Sequence, residues 1–272
     1  MAIIKRNKGK KKMSKKLGFA LGAGSARGIA HIGFLQAMDE VGIKPDYIAG
    51  CSMGSIVGAA YSSGMDLNKL HERVMALRFF DIIKPTRQRG GLFDPQRVRK
   101  LLVKYIGDVE FKDLEIPFQC VAVDMLTQSV VEFSEGSVLD ALLASSAIPS
   151  IFCPTEKCGM RLIDGGVIER VPCKQVKNMG ADIVVAVDVL GTQNCREDTP
   201  GTINVLLETI DIMSNYITKR KHEDNKKIID LWLEPELGDM SQYTFKKLDF
   251  AYEKGYECGK ANAEKIKKLL EE

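Results

Sequence analysis

Apolar residues along this chain gather into short runs that alternate with stretches of helical periodicity. Leu17-Gly18-Phe19-Ala20-Leu21 is a run of strand length, and a helical pattern follows over 27–41. Residues 47–50 form a second such run before a helical stretch at 53–63. A third run at 182–188 precedes a helical stretch from about Asn204 to Lys221. Runs apolar on both faces and separated by helices predict parallel strands buried between helical layers. Asp94-Pro95 reads as a helix N-cap followed by proline at the first helical position, opening a helix through about Tyr105. Residues 117–124 and 128–133, joined by Met125-Leu126-Thr127, read as a hairpin, so the sheet is expected to be mixed. The predicted fold is therefore α/β with three layers: a mostly parallel, mixed central sheet with helices on both faces.

Ligands at such sheets collect at the carboxyl ends of the strands, so the turns after the apolar runs matter most. The second run ends in Ile48-Ala49-Gly50-Cys51-Ser52-Met53-Gly54-Ser55, which places Ser52 between Gly50 and Gly54. This is the G-x-S-x-G nucleophile elbow. A sharp strand-to-helix turn exposes a serine hydroxyl that would otherwise be a poor nucleophile, and the flanking glycines leave room for it. A Gly-rich junction that exists only for close packing would read the same way.

The first run is followed by Gly22-Ala23-Gly24-Ser25-Ala26-Arg27-Gly28, a turn whose backbone N–H groups can face an anion. One reading is an oxyanion hole serving Ser52, built from Gly24, Ser25, Ala26, Arg27 and Gly28. The other is a dinucleotide loop, as in an oxidoreductase. Against that, the acid expected after a second strand is missing, since Asp46 precedes the apolar run.

A third turn is Arg161-Leu162-Ile163-Asp164-Gly165-Gly166, where Gly165 and Gly166 allow a tight turn directly after the carboxylate. Asp124 and Asp188 also close apolar strands, but neither is followed by Gly-Gly, and a self-capping turn would look similar. A Ser-His-Asp triad needs a histidine. The chain has His31, His71 and His222, and only His222 follows the acid, in a charge-dense stretch that reads as a solvated helix face. His31 reads as a hydrogen-bonded structural residue. The remaining economical arrangement is a Ser52–Asp164 dyad with the carboxylate as base.

Taken together, the three turns resemble the patatin-like phospholipase family, whose loop is G-G-G-x-[RK]-G, whose elbow is G-x-S-x-G and whose acid motif is D-G-[GA], in that order. Elbow and acid motif match fully. The loop matches at Gly24, Arg27 and Gly28 and departs at Ala23 and Ser25. Ala144-Ser145-Ser146-Ala147-Ile148-Pro149 is similar to the family's segment ahead of the acid. The resemblance runs from about Leu17 to the C-terminus and implies a patatin-like acyl hydrolase domain over 17–272. It also implies a Ser–Asp dyad for acyl-ester hydrolysis and a lipid or acyl-ester substrate.

Composition changes this picture little. With 272 residues, 45% hydrophobic and 28% charged, the chain can bury one large core. Seven cysteines, without a C-x-x-C pair, point to reduced thiols and a cytoplasmic setting. Cys153, Cys158 and Cys173 lack the paired histidines of a metal site, so neither metal nor other cofactor is expected. Residues 1–16 differ in kind, carrying eight Lys or Arg and no acid; of the net +3 they supply +8, and the rest of the chain −5. This basic arm is expected to be a solvated tail or a peripheral contact with an anionic membrane at its inner face. It has no apolar segment of a signal peptide, and nucleic acid is not expected, because the body lacks a matching basic and aromatic pattern. The readings carried forward are a serine acyl-ester hydrolase, a catalytically weak lipid-binding or regulatory protein on the same scaffold, and a nucleotide-binding oxidoreductase. Acyl chain, head group and oligomeric state are not encoded in any motif.

Overall fold

The structure is a computed structural model that describes residues 15–77, 79–82, 84–86, 90–191, 201–243 and 246–272. The basic arm, apart from Lys15 and Lys16, lies outside the described residues. In chain order the elements are β1 (Leu17–Leu21), α1 (Ala30–Glu40), β2 (Tyr47–Cys51), α2 (Met53–Ser62), α3 (Leu67–Met75), the single turn α4 (Phe79–Ile82), β3 (Gly91–Phe93) and α5 (Gln96–Tyr105). There follow β4 (Phe118–Asp124), β5 (Ser129–Phe133), α6 (Val138–Ser145), β6 (Ser150–Phe152), β7 (Thr155–Lys157), β8 (Met160–Asp164) and α7 (Cys173–Asn178). The chain ends with β9 (Ile183–Val187), α8 (Thr202–Asn225), β10 (Leu231–Leu233) and α9 (Leu248–Glu271).

The central sheet runs β10-β9-β1-β2-β4-β8-β7, with β5 also on β4. Strands β10, β9, β1, β2 and β4 are parallel, while β5, β8 and β7 join antiparallel. The pleat sorts each strand between two apolar layers. Leu17, Phe19 and Leu21 of β1, with Ile183, Val185 and Val187 of β9, face the larger core shared with α1, α2, α6 and α9. Ala20, Ala49, Val184 and Ala186 face the smaller core under α7. Strands buried on both faces explain why their sequences are continuous apolar runs rather than alternating ones.

Helix α1 packs on α9, which contains Gly255-Tyr256-Glu257, a segment similar to those of small bacterial members of the family. A methyl group on Gly33 would lie 2.0 Å from the carbonyl oxygen of Tyr252, and one on Gly255 would lie 1.8 Å from that of Ala30. Both positions must be glycine for the two backbones to meet. The predicted helix over 27–41 is divided, because Ser25–Ile29 forms a 3-10 turn before α1 begins. Asp94 takes the N–H of Gln96 at 2.9 Å, so the proline-led start of α5 lies within a residue of the predicted one.

The register around β4 positions the site. β5 pairs with Cys120–Asp124 and so occupies one edge of β4. The other edge is shared end to end: β2 pairs as far as Cys51 opposite Val121, and β8 takes over with Asp164 opposite Ala122. The residue following Cys51 therefore emerges from the sheet beside the last residue of β8, although 112 positions separate Ser52 from Asp164 in the chain.

Candidate active site

Ser52 stands between β2 and α2 with φ 52° and ψ −122°, a conformation that L-residues rarely adopt. Such a residue costs on the order of 1–3 kcal/mol and persists only where its surroundings fix it. Here its N–H donates to Ser145 Oγ at 2.9 Å, and its carbonyl accepts from Ser55 Oγ at 2.6 Å and from the N–H groups of Ser55 and Ile56. The glycines on either side are required by contact. A methyl on Gly54 would sit 2.3 Å from the Leu21 carbonyl oxygen, and one on Gly50 would sit 2.5 Å from Ser55 Cα. Strain at the serine is thus held by backbone packed on backbone.

Asp164 ends β8, and the neighbouring Ser52 side chain acts to lower its pKa. Asp164 Oδ1 accepts the N–H of Gly166 at 2.7 Å and faces Cys51 Sγ at 3.8 Å. Gly165 admits the approach of β4, since a methyl there would lie 2.5 Å from the Val121 carbonyl oxygen. Burial dominates these contacts and raises the Asp164 pKa to about 6. The same burial, next to the same carboxylate, pushes the Cys51 thiol up and keeps it neutral.

The other strand-terminal acids differ for visible reasons. Asp124 accepts from the backbone of Arg161, from Thr127 Oγ1 and from the N–H groups of Leu126 and Thr127, which holds its pKa below the usual carboxylate value. Asp188 forms a buried ion pair with Arg170 at 2.6 Å. Three acids at equivalent places in the strand pattern thus have different partners, and Asp164 alone of them faces Ser52.

In the loop after β1, Arg27 is buried and donates through Nε to the Val189 carbonyl at 2.8 Å, with longer contacts to the carbonyls of Gly238 and Met240. It braces the loop from behind. The N–H groups of Ala26 and Arg27 are engaged, by Gln242 O and Gly24 O respectively, and Gly28 packs against Met53. No partner among the described residues takes the N–H of Gly24 or Ser25, and both residues line the same cleft as Ser52 and Asp164. Ala23, one position before them, is tied to the Arg170 carbonyl at 2.9 Å.

The histidines lie elsewhere. His31 is fully buried, bonds through Nε2 to the Gly22 carbonyl at 2.8 Å, and is driven to a pKa of about 4 by burial, so it is a neutral brace under the loop. His71 stacks on Tyr252, and His222 stacks on Trp232. Among the described residues, no three His, Cys, Asp or Glu side chains cluster as metal ligands would, and Cys153, Cys158 and Cys173 do not converge.

Ser52 lies where two cavities meet. An apolar one of about 260 Å³ is walled by Met53 and Ile56 of α2, Leu70 and Val74 of α3, and Leu101 and Leu102 of α5. A smaller cleft of about 50 Å³ holds Gly24, Asp164, Gly166, Asp211 and Tyr243. Serine, acid and loop are each marked in the sequence, whereas Gln242 and the walls from α3 and α5 are not, and the contact of Ser145 with Ser52 is not. Ser145 sits in the Ala-Ser-Ser-Ala-Ile-Pro segment, which was the available signal.

An α/β sheet with a strained serine at a strand end and a buried carboxylate against it defines a class of site built for nucleophilic chemistry. Within that class the family is shown by sequence. The patatin-like phospholipase model matches residues 19–177, and the chain belongs to that family. An uncharacterised NTE family protein of Mycobacterium bovis is 32% identical over 182 residues, covering 66% of this chain and 51% of its own length. A protein of Aspergillus fumigatus named lysophospholipase nte1 is 28% identical over 284 residues, covering 92% of this chain and 18% of its own. The chain thus spans about half or less of the curated relatives it matches. The crystal structure of VipD from Legionella pneumophila superposes with a TM-score of 0.63 at 13% identity, covering 93% of this chain and 67% of that one. That likeness establishes a shared α/β fold.

Proposed function

We propose that this protein is a serine acyl-ester hydrolase of the lysophospholipase or phospholipase type, with Ser52 as nucleophile and Asp164 as base. The observation that carries the reading is the meeting of Ser52 and Asp164 opposite Ala122, at the mouth of an apolar cavity. In the acylation step Ser52 Oγ bonds to the ester carbonyl carbon while its proton passes to the Asp164 carboxylate. The carbonyl oxygen gains negative charge, and the N–H groups of Gly24 and Ser25 receive it, with Ala26 and Arg27 holding the loop in place. When the C–O bond to the alcohol breaks, Asp164 returns the proton to the leaving oxygen. A water molecule then gives its proton to Asp164 and attacks the acyl carbon, Ser52 recovers that proton, and the fatty acid leaves. The acyl chain occupies the apolar cavity and the leaving alcohol the polar cleft, a division that matches their chemistry. The Aspergillus relative's name supports the lysophospholipase type.

In the same reading residues 1–16 draw the protein to anionic surfaces, each Lys or Arg contributing about 1 kcal/mol near anionic lipid. Among the described residues no helix is long and apolar enough to cross a membrane. The test is hydrolysis of lysophosphatidylcholine and of p-nitrophenyl butyrate. Ser52→Ala and Asp164→Asn should each lose roughly a thousandfold or more in kcat/KM, while His222→Gln keeps most of its activity. An inactive but folded His222→Gln would replace the dyad with a triad. Wild-type protein that turns over neither substrate and forms no adduct with a serine-directed fluorophosphonate would favour the binding-protein alternative.

A further inference from the structure

Helix α8 is amphipathic in the wrong sense for a helix surrounded by water. Its inward positions are Leu207, Ser214, Thr218 and Asn225, mostly polar, and Ser214 Oγ ties the helix to the Gly166 carbonyl at 2.7 Å. Its outward face carries Val205, Leu206, Ile212, Met213 and Tyr216. At 100° per residue these lie within an arc of about 120°. Ile212, Met213 and Tyr216 are 68%, 53% and 74% exposed. That arc bears no charge between 205 and 216, and Lys219 and Arg220 follow one turn later on the same side. Clusters of this kind on a monomer mark interaction surfaces.

We infer that the outward face of α8 is a bilayer-docking surface that brings the apolar cavity behind the helix close to a lipid–water interface. The inference rests on the hydrolase reading for its choice of partner. Three observations select lipid. Leu207, on the buried face of the same helix, lines the cavity that holds Ser52, so only the thickness of α8 separates the outward apolar arc from the chamber proposed for the acyl chain. The face has the composition of an interfacial helix: aliphatic residues, an aromatic with a polar tip, then long cations able to reach phosphates while their stems stay apolar. Helix α8 is also anchored over the Asp164 turn, so docking it brings the polar cleft to headgroup depth.

The experiment uses the full chain and an Ile212→Ser/Met213→Ser/Tyr216→Ser variant, three exposed positions outside both cavities. Partition is measured by sedimentation with vesicles of phosphatidylcholine containing one part in ten of phosphatidylglycerol, in 0.1 M and 1 M NaCl. The variant should bind at least about tenfold more weakly at both salts, because apolar insertion is not screened, whereas attraction through residues 1–16 fades as the Debye length falls from about 10 to 3 Å. Hydrolysis of p-nitrophenyl butyrate should be unchanged and hydrolysis of vesicle-embedded lysophosphatidylcholine reduced about tenfold. Equal partition of the two proteins would overturn the inference, as would a wild-type dimer in analytical ultracentrifugation that the variant converts to monomer. Binding by wild type and by Ser52→Ala with no ester hydrolysis by either would instead remove the hydrolase reading and leave the surface standing.

Discussion

Asp164→Asn should make the protein more stable while removing its proposed base, and the size of the gain follows from the burial of the carboxylate. Folding moves the Asp164 pKa from the ordinary 3.8 to about 6. At 1.36 kcal/mol per unit, keeping this group ionised in the fold costs roughly 3 kcal/mol at neutral pH. Because the folded pKa lies above the unfolded one, the contribution is fully favourable below about pH 3.8 and is lost as the pH rises through 6. Asparagine retains an oxygen for the Gly166 N–H and an amide for Ser52 but carries no charge. The variant should therefore gain about 3 kcal/mol at pH 7.5, or roughly 6–12 °C in Tm at 2–4 °C per kcal/mol, and about half of that at pH 5. Differential scanning calorimetry at both pH values measures it. An unchanged or lowered Tm at pH 7.5, or a gain that does not shrink at pH 5, would refute the reasoning that burial rather than hydrogen bonding governs this carboxylate.

Two further outcomes follow from the same contacts. On a soluble ester, kcat/KM should rise about tenfold per pH unit below the Asp164 pKa of about 6 and level off above it, because the carboxylate must be ionised to accept the serine proton; a profile with its midpoint near 4, or one rising through 8, would point to another base. Asp188→Asn should destabilise the fold by about 3–5 kcal/mol in urea titrations, since it leaves the buried Arg170 guanidinium without its counter-charge, and a change below about 1 kcal/mol would show that the Asn215 contact of Arg170 suffices.

The layered sheet was legible because its strands are apolar on both faces and its helices follow directly, a pattern that local sequence carries in full. Turns at Gly22–Gly28, Gly50–Gly54 and Asp164–Gly166 stood out for a related reason: each needs glycine for backbone to approach backbone. What the sequence could not display is the register of β4, where β2 and β8 share one edge end to end and so bring Ser52 beside Asp164. That pairing is fixed by contacts between residues far apart in the chain, Cys51 with Val121 and Ala122 with Asp164. Separation along the chain also hid what Ser145 does, since it fixes the Ser52 backbone from 93 positions away. The packing of α9 on α1 was not legible, because Gly255 admits it only through its approach to Ala30 of α1. The three strand-terminal acids looked alike because what separates them is the number of donors around each carboxylate, a tertiary property.

The central claim is that Ser52 is the nucleophile activated by Asp164, and covalent capture tests it most directly. The full-length protein is treated with a fluorophosphonate at pH 7.5 and read by intact mass and peptide mapping. The dyad predicts a single adduct on Ser52, absent in Ser52→Ala, formed at least about a hundredfold more slowly in Asp164→Asn and at near wild-type rate in His222→Gln. An adduct on Ser25 or Ser146, which line the same cavity, or equal labelling rates with and without Asp164, would contradict it.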